Sequence, residues 1–252
     1  MPRKVATVSI ARSMQPGCIL RARAEVMSPW TTSRVKRIFD VALVLASTPV
    51  VLPLLLVIAL AVSATSCGPI LFKQKRLGRF GVPFEIYKFR TMECEIESRQ
   101  HSIAAMSADR VTPLGRILRW FKLDELPQLL NVLVGQMSLV GPRPRVPEQQ
   151  LEPLQCRPGV TGLATLAFAR EESLFALIPR ESLPEYYSKT ILPAKQRLDA
   201  TYMKHASLFT DLKLIFDTAF GRWGSYGLSV TRNSADLHIV ERRPEAKGAT
   251  FQ

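Results

Sequence analysis

The sequence predicts an α+β fold, mostly helical, in which a membrane-embedded re-entrant helix joins a small cytosolic domain bearing amphipathic interfacial helices. Three observations predict it. Val41–Phe72 runs for thirty-two residues without a charge. Apolar residues then recur at helical spacing through Leu114–Val134, with further helical chain at Pro193–His205 and Leu208–Gly221. Between these blocks, short β-rich stretches are broken by Gly78, Gly81 and Pro83.

The first element is a basic, irregular extension over residues 1–33, suited to lying on anionic lipid. The apolar segment at 34–66 follows. Its first part, Val41–Val62, has 22 residues, about 33 Å as a straight helix, which is the thickness of a bilayer's hydrocarbon core. A cleavable signal peptide fits poorly, because the run starts forty residues in and no small-x-small cleavage site follows. Both a spanning helix and a re-entrant hairpin satisfy the length. Pro49 and Pro53 inside the run, and basic residues on both flanks, favour re-entry. Arg34, Lys36 and Arg37 precede it, and Lys73, Lys75, Arg76 and Arg79 follow. Lys and Arg are retained on the cytoplasmic side, so two basic flanks are most simply satisfied on one face.

Residues 67–225 make the remaining domain, and 226–252 a polar tail expected to fray. Within the domain Pro127 divides the Leu114–Val134 pattern. One helix is expected to end near Lys122 and another to start around Asp124, with the proline tolerated in its first turn. A net charge of +13, from 34 Lys and Arg against 21 Asp and Glu, calls for a polyanionic partner. At 47% hydrophobic residues the chain is too apolar to be disordered. Cys18, Cys67, Cys94 and Cys156 are scattered without a CxxC pair, as are His101, His205 and His238. Neither a zinc site nor a disulfide framework is indicated, which suits a reducing compartment.

Asp124 and Glu125 are the candidate chemical groups. At a helix start they would enjoy the positive end of the dipole, though acidic residues there are ordinarily caps. Their context adds weight. Arg143 and Arg145 stand among Pro142 and Pro144 in a stiff loop, with Lys88 and Arg90 upstream and Arg157 downstream. Cations presented from rigid Pro/Gly segments suit phosphate. Carboxylates beside a diphosphate need a bridging divalent ion, and Mg²⁺ held by Asp124 and Glu125 fills that role. No GxxxxGK[ST] and no GxGxxG is present, which removes support for P-loop and dinucleotide chemistry.

KRIFD, the apolar run with Pro53, FKQKRLGRFGVPFEIYKFRTM, LDELPQLLNVLVGQMSLVGPRP and RPGVTGL together resemble the bacterial sugar transferases, the monotopic phosphoglycosyl transferases acting on polyprenyl phosphate. The resemblance covers roughly Arg34 to Gly221. No further apolar run precedes it, so it looks like the minimal catalytic form. The resemblance implies transfer of a sugar 1-phosphate from a UDP-sugar to undecaprenyl phosphate with release of UMP. It also implies a covalent phosphosugar on Asp124, with Glu125 supporting Mg²⁺ or proton transfer. Phosphate or nucleotide ligands would be Arg143 and the segment around Lys88 and Arg90, and the break in the re-entrant helix would fall at Pro53. The setting would be the cytoplasmic face of the bacterial inner membrane, among anionic lipids, with downstream glycosyltransferases as candidate partners.

The sequence departs from the family pattern at several places. Leu52 replaces the serine of the Ser-Pro pair, with Pro49 and Ser47 nearby as substitutes. Gln136 stands for an acidic residue, Leu163 and Thr165 for the usual Trp and Gln, and ATLAFAREESL for an Asn-Gly-Arg segment. Two other classes compete: a non-catalytic membrane scaffold, opposed by the intact dyad, and a nucleic-acid binder. For the latter, Phe80, Phe84, Tyr87 and Phe89 interleave with Lys88 and Arg90. Their alternation fits a half-buried strand equally, no nucleic-acid motif accompanies it, and no nucleic-acid partner is expected.

Overall fold

The computed structural model describes residues 27–93, 110–147 and 153–221 except 170, 172–174, 176–177 and 180, plus the backbone of strands at 228–233 and 236–241. The N-terminal extension up to residue 26, with Arg21 and Arg23, lies outside the described residues.

A short 3₁₀ turn, Pro29–Thr32, leads into α1, Arg34–Thr65. Ser33 caps α1 by accepting the Lys36 N–H at 3.0 Å. Both prolines lie inside this one 32-residue helical element, so the chain stays helical through the expected bend. Each proline deletes a single backbone bond, and a four-residue spacing puts both deletions on one side. The Ser47 and Thr48 hydroxyls both donate to the Val44 carbonyl, at 2.8 and 3.0 Å, a pattern that bends helices just upstream of Pro49. The burial is bipolar. Lys36, Asp40 and Val44 are buried near one end and Ile58 and Val62 near the other, whereas residues 45–57 include none that is buried. Among the described residues α1 is the one helix long and apolar enough to cross a bilayer.

The rest of the chain is organised around both ends of α1. Strands β1, Leu71–Leu77, and β2, Pro83–Phe89, form an antiparallel hairpin with Leu71 opposite Phe89 and Leu77 opposite Pro83. Then come α2, Pro113–Trp120, a 3₁₀ turn at Leu123–Gln128, and α3, Leu129–Val134. Strand β3, Ser138–Val140, pairs in parallel with β4, Gly159–Thr161. A short α4, Leu163–Ala167, follows. Next, α5 (Leu183–Tyr186), a π-turn (Tyr187–Ile191) and α6 (Leu192–His205) run on without interruption, and extended Ala206 and Ser207 separate them from α7, Leu208–Ala219. The main core gathers Val44, Phe84, Ile86, Val132, Met137, Val140, Tyr202 and Leu214. A second cluster packs Ile58 and Val62 on Phe89 and Leu118, so the two ends of α1 rest on the same body.

The architecture is therefore mostly helical α+β. Helix α7 is amphipathic: Asp211 and Leu214 are buried, while Leu208, Phe209, Leu212, Phe216 and Phe220 are exposed. Ile117, Trp120 and Phe121 are likewise exposed at the end of α2. The tail differs from expectation. Strands β5, Leu228–Asn233, and β6, Asp236–Glu241, form an antiparallel hairpin within it, and residues 242–252 lie outside the described residues. Period-two alternation of Leu228 and Val230, and of Leu237 and Ile239, accounts for it.

Candidate active site

Asp124 and Glu125 do not open a regular α-helix. Lys122 adopts a left-handed conformation (φ 58°), which ends the α2 segment and starts the six-residue 3₁₀ turn that carries the dyad. Regular α-helix begins only at Leu129. The dipole support expected for the dyad is therefore replaced by individual cations. Both carboxylates are 8% exposed.

Two of the expected cations reach the dyad, and they reach the same oxygen. Lys88 Nζ, from β2, lies 2.6 Å from Glu125 Oε1, and Arg143 Nη2 lies 3.4 Å from it. Together with Arg76, Gln128, Gly159 and Val160 these side chains line a small cleft. The close approach of two of the lining segments depends on glycine. A Cβ on Gly159 would stand 2.1 Å from the Gly141 nitrogen, so the GPRP loop and the RPG segment can lie together only without side chains there.

The charges divide the two acids. Burial opposes ionisation of Glu125, but Lys88, Arg143 and Lys122 outweigh it and hold the carboxyl well below the usual range. Asp124 moves the other way: burial, and then the Glu125 charge, push it up against Lys88, Lys122 and Arg119. Burial lowers Lys88 despite Glu125 beside it, and Glu125 raises Arg143 despite burial. The result is one firmly anionic carboxylate, neutralised by two cations, next to a more basic one.

Three other expected phosphate ligands are placed elsewhere. The buried Arg90 guanidinium donates to the Pro69 carbonyl at 2.6 Å and to the Ser66 carbonyl and hydroxyl at 2.7 Å, closing the end of α1. Arg157 Nε donates to the Gly135 carbonyl at 2.8 Å, and Arg37 serves Val132 and Leu133 there, so both cap α3. Arg145 pairs with Asp199 at 3.4 Å. In each case a carbonyl or carboxylate left unsatisfied by the local backbone draws in the nearest guanidinium. Arg76, Arg119, Lys122 and Gln128 were not singled out from sequence. For Arg119, Lys122 and Gln128, proximity in the chain to the dyad was the available signal.

Among the described residues, no group of three or more His, Cys, Asp or Glu side chains gathers. Two adjacent buried carboxylates fit Mg²⁺, which is commonly held by one or two carboxylates, substrate phosphates and water; they do not fit a metal caged by protein alone.

A buried carboxylate pair, with a lysine and an arginine on the Glu125 that lines a cleft, in a chain that also carries a bilayer-length apolar helix, is an enzyme-like arrangement. The family model for bacterial sugar transferases matches residues 31–223, and the chain belongs to that family. It is 41% identical over 196 residues to a UDP-glucose:undecaprenyl-phosphate glucose-1-phosphate transferase of Caulobacter vibrioides, covering 73% of this chain and 67% of the relative. A Klebsiella pneumoniae protein of the same name is 40% identical over 196 residues, covering 73% of this chain but only 39% of that protein. The exopolysaccharide production protein PSS of Rhizobium leguminosarum bv. phaseoli is 35% identical over 204 residues, with 73% and 92% covered.

Proposed function

We propose that this chain transfers a sugar 1-phosphate from a UDP-sugar to undecaprenyl phosphate, releasing UMP, through a covalent phosphosugar on Asp124. The observation that carries the reading is the dyad itself: Asp124 and Glu125 buried together, with Lys88 and Arg143 converging on Glu125. The named activities of the Caulobacter and Klebsiella relatives support the substrate classes.

The Asp124 carboxylate attacks the sugar-linked phosphorus. An aspartyl O–P bond forms, the P–O bond to UMP breaks, and UMP leaves with the electron pair. Undecaprenyl phosphate then attacks the same phosphorus, giving polyprenyl-diphosphate sugar and free Asp124. Burial suits the task, because a carboxyl raised by desolvation and by Glu125 is a stronger nucleophile once ionised. Arg143, 37% exposed at its side chain, holds a donor phosphate by its fork, while Lys88 keeps Glu125 anionic. Asp124 and Glu125 would hold Mg²⁺, which when bound supplies charge neutralisation between diphosphate and carboxylates.

Re-entry of α1 completes the proposal. A helix whose two ends pack on one body while its apolar middle is uncovered fits a segment dipping into one leaflet, with the catalytic domain on the cytoplasmic face of the inner membrane. The exposed apolar faces of α2 and α7 suit the interface with lipid.

Donor alone tests the chemistry. Purified protein with Mg²⁺ and UDP-sugar, without polyprenyl phosphate, is expected to release UMP up to the amount of enzyme and to carry a phosphosugar adduct detectable by mass spectrometry. Asp124→Asn is expected to lower turnover by at least about a thousandfold while remaining folded. Full turnover without any adduct, or an active Asp124→Asn, refutes the covalent route.

A further inference from the structure

Arg143 is presented from a loop with little regular structure, and its 3.4 Å contact with Glu125 is not the only restraint on it. The loop follows β3 and reads Gly141-Pro142-Arg143-Pro144-Arg145. Its prolines restrict φ, and backbone bonds from the Gly159 N–H to the Pro142 carbonyl (2.9 Å) and from the Leu77 N–H to the Arg145 carbonyl (3.0 Å) tether its path. Helix α6 adds a restraint through side chains. Asp199, 2% exposed, takes the Arg145 guanidinium at 3.4 Å. The Arg143 backbone N–H lies close enough to the same carboxylate to stabilise its charge. Three residues further along α6, the Tyr202 hydroxyl, which donates to Asp211 Oδ1 at 2.7 Å, also lies 3.1 Å from the Val140 carbonyl. Helix α6 therefore contacts the strand end through Tyr202 and the loop through Asp199.

A buried carboxylate here is not explained by stability. Burial makes its ionised form costly even beside Arg145, and pushes its pKa up to about 6. We propose that Asp199 is a positioning residue: through Arg145 and the Arg143 backbone it sets the direction of the Arg143 guanidinium toward the donor phosphate. Asp199 touches no substrate. Its effect passes through Arg143, so the inference rests on Arg143 being the donor-phosphate ligand proposed above.

The two half-reactions separate this role from a folding defect. In a ping-pong scheme kcat/KM for the UDP-sugar reports only the donor half, and kcat/KM for undecaprenyl phosphate only the acceptor half. Asp199→Asn is expected to lower the donor value about 10–100-fold and to change the acceptor value less than about twofold. A merely misfolded fraction lowers both equally, and that result overturns the proposal. Arg145→Gln, which removes only the side-chain half of the grip, is expected to give a smaller loss confined to the donor half. In the Arg143→Ala background, Asp199→Asn is expected to add less than about threefold, since its target is gone. Full additivity there shows that Asp199 acts by another route. An unchanged donor value in Arg143→Ala itself overturns the reading of Arg143, and the inference with it; a reduced value there with an unchanged one in Asp199→Asn overturns the inference alone.

Discussion

Lys36 gives the sharpest test of how α1 is fastened to the domain. Its ammonium lies 2.5 Å from Asp211 Oδ2 on α7 and 3.8 Å from Asp40 one turn on. The three residues are 4%, 0% and 2% exposed. The Trp30 indole N–H and the Tyr202 hydroxyl complete Asp211 at 2.8 and 2.7 Å, and the Ser138 hydroxyl serves Asp40 at 2.7 Å. Lys36→Met keeps most of the volume but leaves two buried carboxylates without their only close cation among these contacts. Breaking a buried pair from one side costs about 3–5 kcal/mol, because the surviving charge is neither solvated nor compensated. For a domain of this size, each kcal/mol lowers Tm by roughly 2–4 °C, so the expected fall is roughly 6–20 °C. The assay is thermal melting of purified protein in one fixed detergent. Asp211→Asn in the same background is expected to restore part of the loss, giving a non-additive cycle. A Lys36→Met shift under about 2 °C, or strict additivity with Asp211→Asn, refutes the argument that the pair is a desolvated, coupled unit.

Three further outcomes follow from the geometry. For topology, cysteines at the exposed positions Thr32 and Val82, in a background without native cysteines, should respond alike to an impermeant thiol reagent in intact cells; labelling of one alone establishes a spanning helix. Arg90→Gln strips charged donors from the Pro69 and Ser66 carbonyls, and should destabilise by about 1.5–3 kcal/mol while leaving the ratio of donor to acceptor kcat/KM unchanged. A fall in that ratio without a change in Tm would make Arg90 a donor ligand after all. For pH, Asp199 is raised to about 6, so the folded state binds a proton more tightly than the unfolded chain. Its contribution to stability is full below the unfolded value near 4 and declines as pH rises through about 6, by roughly 3 kcal/mol. The stability of the wild type relative to Asp199→Asn should therefore decrease between pH 4 and pH 7; an increase would show that the carboxylate is favoured in its charged form.

What the sequence determined by itself was local. The apolar run of α1, the helices expected at 193–205 and 208–221 and observed at Leu192–His205 and Leu208–Ala219, and the strand character of FEIYKF follow from periodicity, which a dozen neighbouring residues settle. The LDELPQ dyad was legible for the same reason, as was the GPRPR loop. The partners of the cations were not. Lys88 and Arg90 are two residues apart and would share a face on a continuing strand, yet β2 ends at Phe89. Lys88, still within the strand, meets Glu125, 37 residues away in sequence, and Arg90, beyond its end, turns to the end of α1. Arg143 and Arg145 are likewise separated only by a proline, but one faces Glu125 and the other Asp199. The physical reason is common to them all. A guanidinium or ammonium is drawn to whichever buried oxygen lacks a partner, and that oxygen is created by packing between segments far apart in the chain. The tertiary structure alone also made the dyad a 3₁₀ turn entered through left-handed Lys122, and set both ends of α1 on one body, leaving its apolar middle uncovered.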